Sequence, residues 1–209
     1  MKTKTLAKLS YSLIVAISIC LLFQAFFFVT AFFENNSYKN LPSNNSIIDI
    51  IPSEKVVYIV STTQMITILL MFILFLFWVY NINKNLNSFD SVKMYYNPTW
   101  AVAWFFIPIA FFYKPFHVIE EIWDKTSEKY SNTVKLWWLL VLSSTFLGKF
   151  IINLLLRLFN TDQYNRIFIS YTITDGLGVF MYIVFILMIK EIMKGYIIKS
   201  NDNFKQLLK

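Results

Sequence analysis

Four apolar runs, each long enough to cross a bilayer, constrain this chain more than anything else in it. They extend from about Leu9 to Phe33, Val56 to Tyr80, Leu136 to Phe159 and Phe168 to Ile189. A spanning helix needs about 20 mostly apolar residues, and lipid gives an open backbone no hydrogen-bond partners, so such runs must be helical. A fifth run, Trp100 to Tyr113, reaches only about 21 Å at about 1.5 Å per residue and is too short to cross. The expected fold is an all-α integral membrane protein, a single membrane domain over residues 1–209. It has four transmembrane helices (about 9–33, 56–80, 136–159 and 168–189), a Pro-broken re-entrant or interfacial segment within 98–129, and an amphipathic cytoplasmic surface helix. Only 15% of the residues are charged, against about 25% in soluble domains.

Lysine placement orients the spans. With four crossings, the amino terminus, residues 81–135 and the carboxyl terminus share one side, which then carries 14 of the 19 Lys and Arg residues against 4 on the other. Letting Trp100–Tyr113 cross would change the split to 11 against 7. The positive-inside rule therefore favours four spans with both termini cytoplasmic, and the heavy Asn, Lys, Ile and Phe usage points to a bacterial membrane, expected to be the inner one. Lys2, Lys4 and Lys8 precede the first run as in a signal peptide, but the run well exceeds the usual apolar core of about 7–15 residues and reads as a retained span. Trp78, Trp100, Trp104, Trp123, Trp137 and Trp138 all fall near the cytoplasmic boundary, where indole rings prefer to sit. The +7 net charge suits loops facing anionic lipid, and no nucleic-acid partner is expected.

The segment from Asn97 to Trp123 has its own pattern. Pro98, Pro108 and Pro115 are three of the five prolines in the chain. Pro108 disfavours a straight helix, whereas Pro115 suits the first turn of a new one. From there Phe116, Ile119, Ile122 and Trp123 line one face at helical spacing, and His117, Glu120, Glu121, Asp124 and Glu128 the other. Glu121 and Lys125 are spaced for an i,i+4 pair. This reads as an amphipathic helix whose apolar face lies in the headgroup boundary. One His beside two acids on a solvated face is poor metal chemistry, and no metal or cofactor is expected.

The same stretch resembles the signature of a bacterial multi-pass membrane family known as domain of unknown function 4328. Pro98, the run with Trp100 and Trp104, Pro108-Ile109-Ala110, Lys114-Pro115 and Glu121-Ile122-Trp123 are similar to its pattern over about 26 residues. Where the family usually has Asn after Pro-Ile-Ala, Phe111 stands here. The resemblance implies a multi-pass membrane fold and no activity.

Catalytic patterns are missing. Asp175-Gly176-Leu177-Gly178 is too short for a phosphate loop. Ser143 and Ser144 lie six and five residues before Lys149, a poor spacing for a Ser–Lys dyad. An enzyme is the weakest reading. Polar groups inside the spans are informative, because such groups mark packing or function. Lys149 and Asp175 are ionisable, Gln24, Gln64 and Asn153 uncharged. Counting helical rise from the outer ends puts Lys149, Asp175, Gln24 and Gln64 at similar depth, about 10–13 Å, so Lys149 and Asp175 are expected to pair. The leading functional reading is a non-enzymatic bundle that binds membrane lipid, or a cytoplasmic or membrane protein partner, through residues 98–129. The alternative is a small transporter or channel-like protein using the polar cluster. The oligomeric state is left open.

Overall fold

The computed structural model describes residues 2–39, 54–89, 92–127, 131–144, 150, 152, 154, 157–158 and 163–207. The described regular elements are helical. They are α1 (Lys2–Lys39), α2 (Glu54–Leu86), α3 (Pro98–Ala103), a 3-10 turn (Ala110–Phe112), α4 (Lys114–Thr126), α5 (Asn132–Leu142) and α6 (Gln163–Leu207). Three helices are long and apolar enough to cross a membrane, over Thr3–Thr30, Tyr58–Leu86 and Thr172–Asn201. At 28, 29 and 30 residues each reaches more than 40 Å, about 10 Å beyond a hydrocarbon core of about 30 Å. The run expected as a further span, 136–159, begins in α5, and beyond residue 144 only positions 150, 152, 154, 157 and 158 of it are among the described residues.

The helices outlast the apolar runs that signalled them. α2 continues past Tyr80 to bury Ile82, Asn83 and Leu86, and α6 continues past Ile189 to bury Ile192, Met193 and Tyr196. Lys84, Lys190 and Lys194 on these extensions stay exposed, so charge ends the hydropathy signal without ending the helix.

The chain divides into two compact units. The first comprises residues 1–17, 69–138 and 184–209. Its core is aromatic. The Phe75 ring is flanked by Phe185, Phe105, Trp137 and Trp78 at centroid distances of 5.2, 5.5, 5.9 and 6.1 Å. Trp78 Nε1 donates to Ser10 Oγ at 2.8 Å, tying α2 to α1. Thr3 and Ser200 share a hydroxyl hydrogen bond of 3.1 Å, so the first turn of α1 lies beside the far part of α6. Gly195 lets α6 approach α4: a Cβ there would stand 1.8 Å from the Thr126 carbonyl oxygen.

Of the tryptophans expected near the cytoplasmic boundary, most are covered by protein. Trp78, Trp123, Trp137 and Trp138 are buried, and Trp100 is half exposed. Large rings serve a dense core as well as an interface, and composition does not separate the two.

The second unit comprises residues 18–68 and 139–183. Here Tyr58, Ile59, Met65, Ile66 and Phe180 are exposed, while Cys20, Thr174, Met181 and Tyr182 are buried.

Candidate functional site

The segment that carries the family-like pattern folds back on itself within the first unit. Asn97 caps α3, its Oδ1 accepting from Trp100 N at 2.9 Å, and Pro98 opens the helix. Pro tolerates that position because its missing N–H needs no partner there. α3 ends by Trp104, Pro108 lies in the following turn, and the backbone tightens to the 3-10 turn before α4 starts at Lys114 with Pro115 in its first turn. The 100–113 run is thus a broken turn and not a spanning helix.

Two charged side chains hold the turn closed. The Glu121 carboxylate accepts from the backbone N–H groups of both Tyr95 and Tyr96. Lys114 Nζ lies 5.3 Å from the Trp104 ring centroid, 5.5 Å from that of Tyr113 and 5.8 Å from that of Tyr96, an arrangement in which ring quadrupoles attract the cation. Trp138 Nε1 adds a hydrogen bond to the Phe112 carbonyl at 3.0 Å. What remains outside is apolar: Trp100 is 51% exposed and Ile109 81%, with Phe106, Ile107, Phe112 and Tyr113 also open.

α4 departs from expectation on both faces. Its apolar face does not meet headgroups, because Val118, Ile119 and Ile122 are fully buried and Trp123 is 2% exposed. The packing against α6 at Gly195 occupies the place expected for lipid. On the polar face Glu121 is taken up by the Tyr95 and Tyr96 amides rather than set aside for Lys125. Glu120 meets His117 Nδ1 at 3.4 Å and accepts from Ser131 Oγ at 3.0 Å. Asp124 stays exposed. Partial burial, and then Glu120, push its carboxyl above the usual range, against the pull of Lys125 and Lys135. Glu128 lies outside the described residues.

In the second unit Gln24, Gln64 and Asp175 meet. Gln64 Nε2 donates to Gln24 Oε1 at 3.1 Å, and Gln24 Nε2 donates to Asp175 Oδ1 at 2.9 Å. The chain of donors ends on the carboxylate. Gly178 makes room for it, since a Cβ there would stand 2.9 Å from Gln24 Cδ. Lys149 and Asn153, and with them the expected Lys149–Asp175 pair, lie outside the described residues. No group of His, Cys, Asp and Glu suited to a metal ion occurs among the described residues.

The sequence reading missed two grooves that flank Phe77 in the first unit. One, of about 360 Å³, is lined by Leu6, Leu9 and Leu74 with Thr5, Asn81 and Asn85. The other, of about 380 Å³, is lined by Ile73, Leu76, Tyr80, Val102 and Phe106. The available signal was the alternation Asn81-Ile82-Asn83-Lys84-Asn85 after an apolar run, but the walls come from segments far apart in sequence.

No curated protein and no solved structure matches the chain. A family model described as "Domain of unknown function (DUF4328)" matches residues 46–194. That match covers more than two thirds of the chain, including α2, the broken turn, α4 and α5, and the chain therefore belongs to the DUF4328 family.

Proposed function

We propose that the protein is a non-enzymatic multi-pass bundle of a bacterial inner membrane, with four spans and both termini cytoplasmic, that binds lipid through its 98–129 segment. The turn between α3 and α4 enters the membrane boundary and returns to the same side. The observation that carries this reading is the exposed apolar tip, Trp100, Phe106, Ile107 and Ile109, on a backbone too short to span. An open apolar patch of this kind marks a membrane or partner contact. Lipid is favoured over a cytoplasmic protein because Glu120 and Glu121, half of the acidic face such a partner would use, are engaged within the chain. The lysine count favours the orientation.

The test uses the full chain with Cys20→Ser, carrying one new cysteine at a time. A nitroxide at Ile109 in reconstituted vesicles should collide with oxygen more than with an aqueous nickel chelate. Aqueous-dominated collisions would overturn the membrane-entering turn. Cysteines at Ser88 and Asn201 should resist an impermeant maleimide in intact cells, and labelling at either would reverse the orientation.

A second reading, a small transporter or channel-like protein, is favoured by one observation: the hydrogen-bonded Gln64–Gln24–Asp175 chain puts an ionisable group among apolar helices, a costly placement that often serves ions or protons.

A further inference from the structure

We infer that one anionic diacyl phospholipid sits astride Phe77, with an acyl chain in each flanking groove and its headgroup at Lys84. This extends the lipid reading to a defined site, and only one wall, Val102 and Phe106, belongs to the turn.

Successive residues of α2 alternate between the grooves. Ile73, Leu76 and Tyr80 face one, Leu74, Asn81 and Asn85 the other, and Phe77, 61% exposed, is the ridge between them. The grooves therefore run side by side along one helix, as two acyl chains of one lipid do. Toward the same end one groove is lined by Asn81 and Asn85, while the other stays apolar up to Tyr80. From Ile73 to Asn85 the helix rises about 18 Å, close to the depth of about 15 Å for one leaflet of the hydrocarbon core.

The charge that the described residues of α1 and α2 bring to this end has one sign. Lys84 follows Tyr80 by one helical turn, and its Nζ stands 5.8 Å from the Tyr80 ring centroid, which sets it at the Tyr80 end of one groove, beside Asn85 of the other in sequence. Lys4 and Lys8 flank Thr5 on α1 and are exposed. Neither residues 2–17 nor 69–89 contain an acid. A phosphodiester fits this end, and the amides of Asn81 and Asn85 suit the ester oxygens below it.

Native mass spectrometry of the full chain in detergent, titrated with equimolar phosphatidylglycerol and phosphatidylcholine, tests the site. One phosphatidylglycerol should be retained in preference. A lysine near a lipid surface contributes about fivefold in affinity, so Lys84→Gln should lower retention of phosphatidylglycerol about fivefold and leave phosphatidylcholine unchanged. Single-chain lysophosphatidylglycerol should bind more weakly than the two-chain lipid. Equal retention of the two headgroups, an unchanged preference in Lys84→Gln, or full retention of the single-chain lipid would overturn the proposal. Lys84 is exposed, and an unaltered melting temperature shows that the variant folds. Nitroxide depth at Ile109 reads the turn separately: an aqueous Ile109 with the lipid preference intact removes the turn reading and keeps the site.

Discussion

In the first unit Phe75 is ringed by Trp78, Phe105, Trp137 and Phe185, and Ile82, Ile122 and Met188 are sealed from solvent. In the second, Tyr58, Met65, Phe150 and Phe180 are open, and groups that meet inside are two glutamines and an aspartate. The contrast is one of packing: buried rings stabilise the first unit as in a soluble core, whereas in the second a glycine and directed hydrogen bonds position the helices.

The largest expected effect separates the two glycine approaches. Gly195→Ala forces a Cβ onto the Thr126 backbone oxygen, which has no rotamer to retreat into. It should destabilise by about 3 kcal/mol, the upper end for overpacking, read as a lower melting temperature in detergent. Gly178→Ala meets only the end of the Gln24 side chain. The gain in helix propensity, about 1 kcal/mol, should offset the displacement and leave stability nearly unchanged. Similar losses at both sites would mean that the second unit is packed as rigidly as the first.

A smaller effect sharpens the polar side of the comparison. In a double-mutant cycle of Gln24→Leu and Asp175→Asn, the coupling should be about 0.6 kcal/mol, the average for hydrogen bonds within membranes. A cycle with no coupling would detach Asp175 from the helix contact and remove the observation that favours the transport reading.

The smallest effect concerns the wet face of α4. Asp124 is held above its ordinary value by partial burial and by Glu120, so its charged form is disfavoured in the folded state. Its contribution is present at low pH and lost as pH rises through the raised value. Asp124→Asn should therefore stabilise slightly at pH 7, by no more than about 0.5 kcal/mol. The difference should vanish near about pH 3, where both forms are neutral. A difference independent of pH would show that charge at Asp124 is immaterial.

Much of the architecture was legible because it is local. Apolar runs mark α1, α2 and α6, and Pro108 marks the break between α3 and α4, since each signal is carried by the residues that fold there. Gln24, Gln64 and Asp175 could be placed at one depth because helical rise converts residue count into height. What escaped depends on partners far along the chain. Trp123 has the same spacing whether lipid or protein covers it. Glu121 suits Lys125 on paper, and only the fold-back delivers the Tyr95 and Tyr96 amides to it. The grooves beside Phe77 were illegible for the same reason, since α2 shows one line of residues and not the walls across from it.

The Glu121 clasp also sets an order of events during synthesis. Tyr96 and Glu121 are separated by 25 positions, about 1–5 s of elongation at about 5–20 residues per second. Over the last eight positions of that interval, about 0.4–1.6 s, the whole Trp100–Tyr113 stretch has been made while the carboxylate that fastens its base has not. A nascent chain paused before residue 121 would present a hydrophobic loop with an open neck. Release of Glu121 from the ribosome is thus the moment at which the neck of the turn can close, after α1 and α2 have been delivered and before Trp138 and α6 add their contacts.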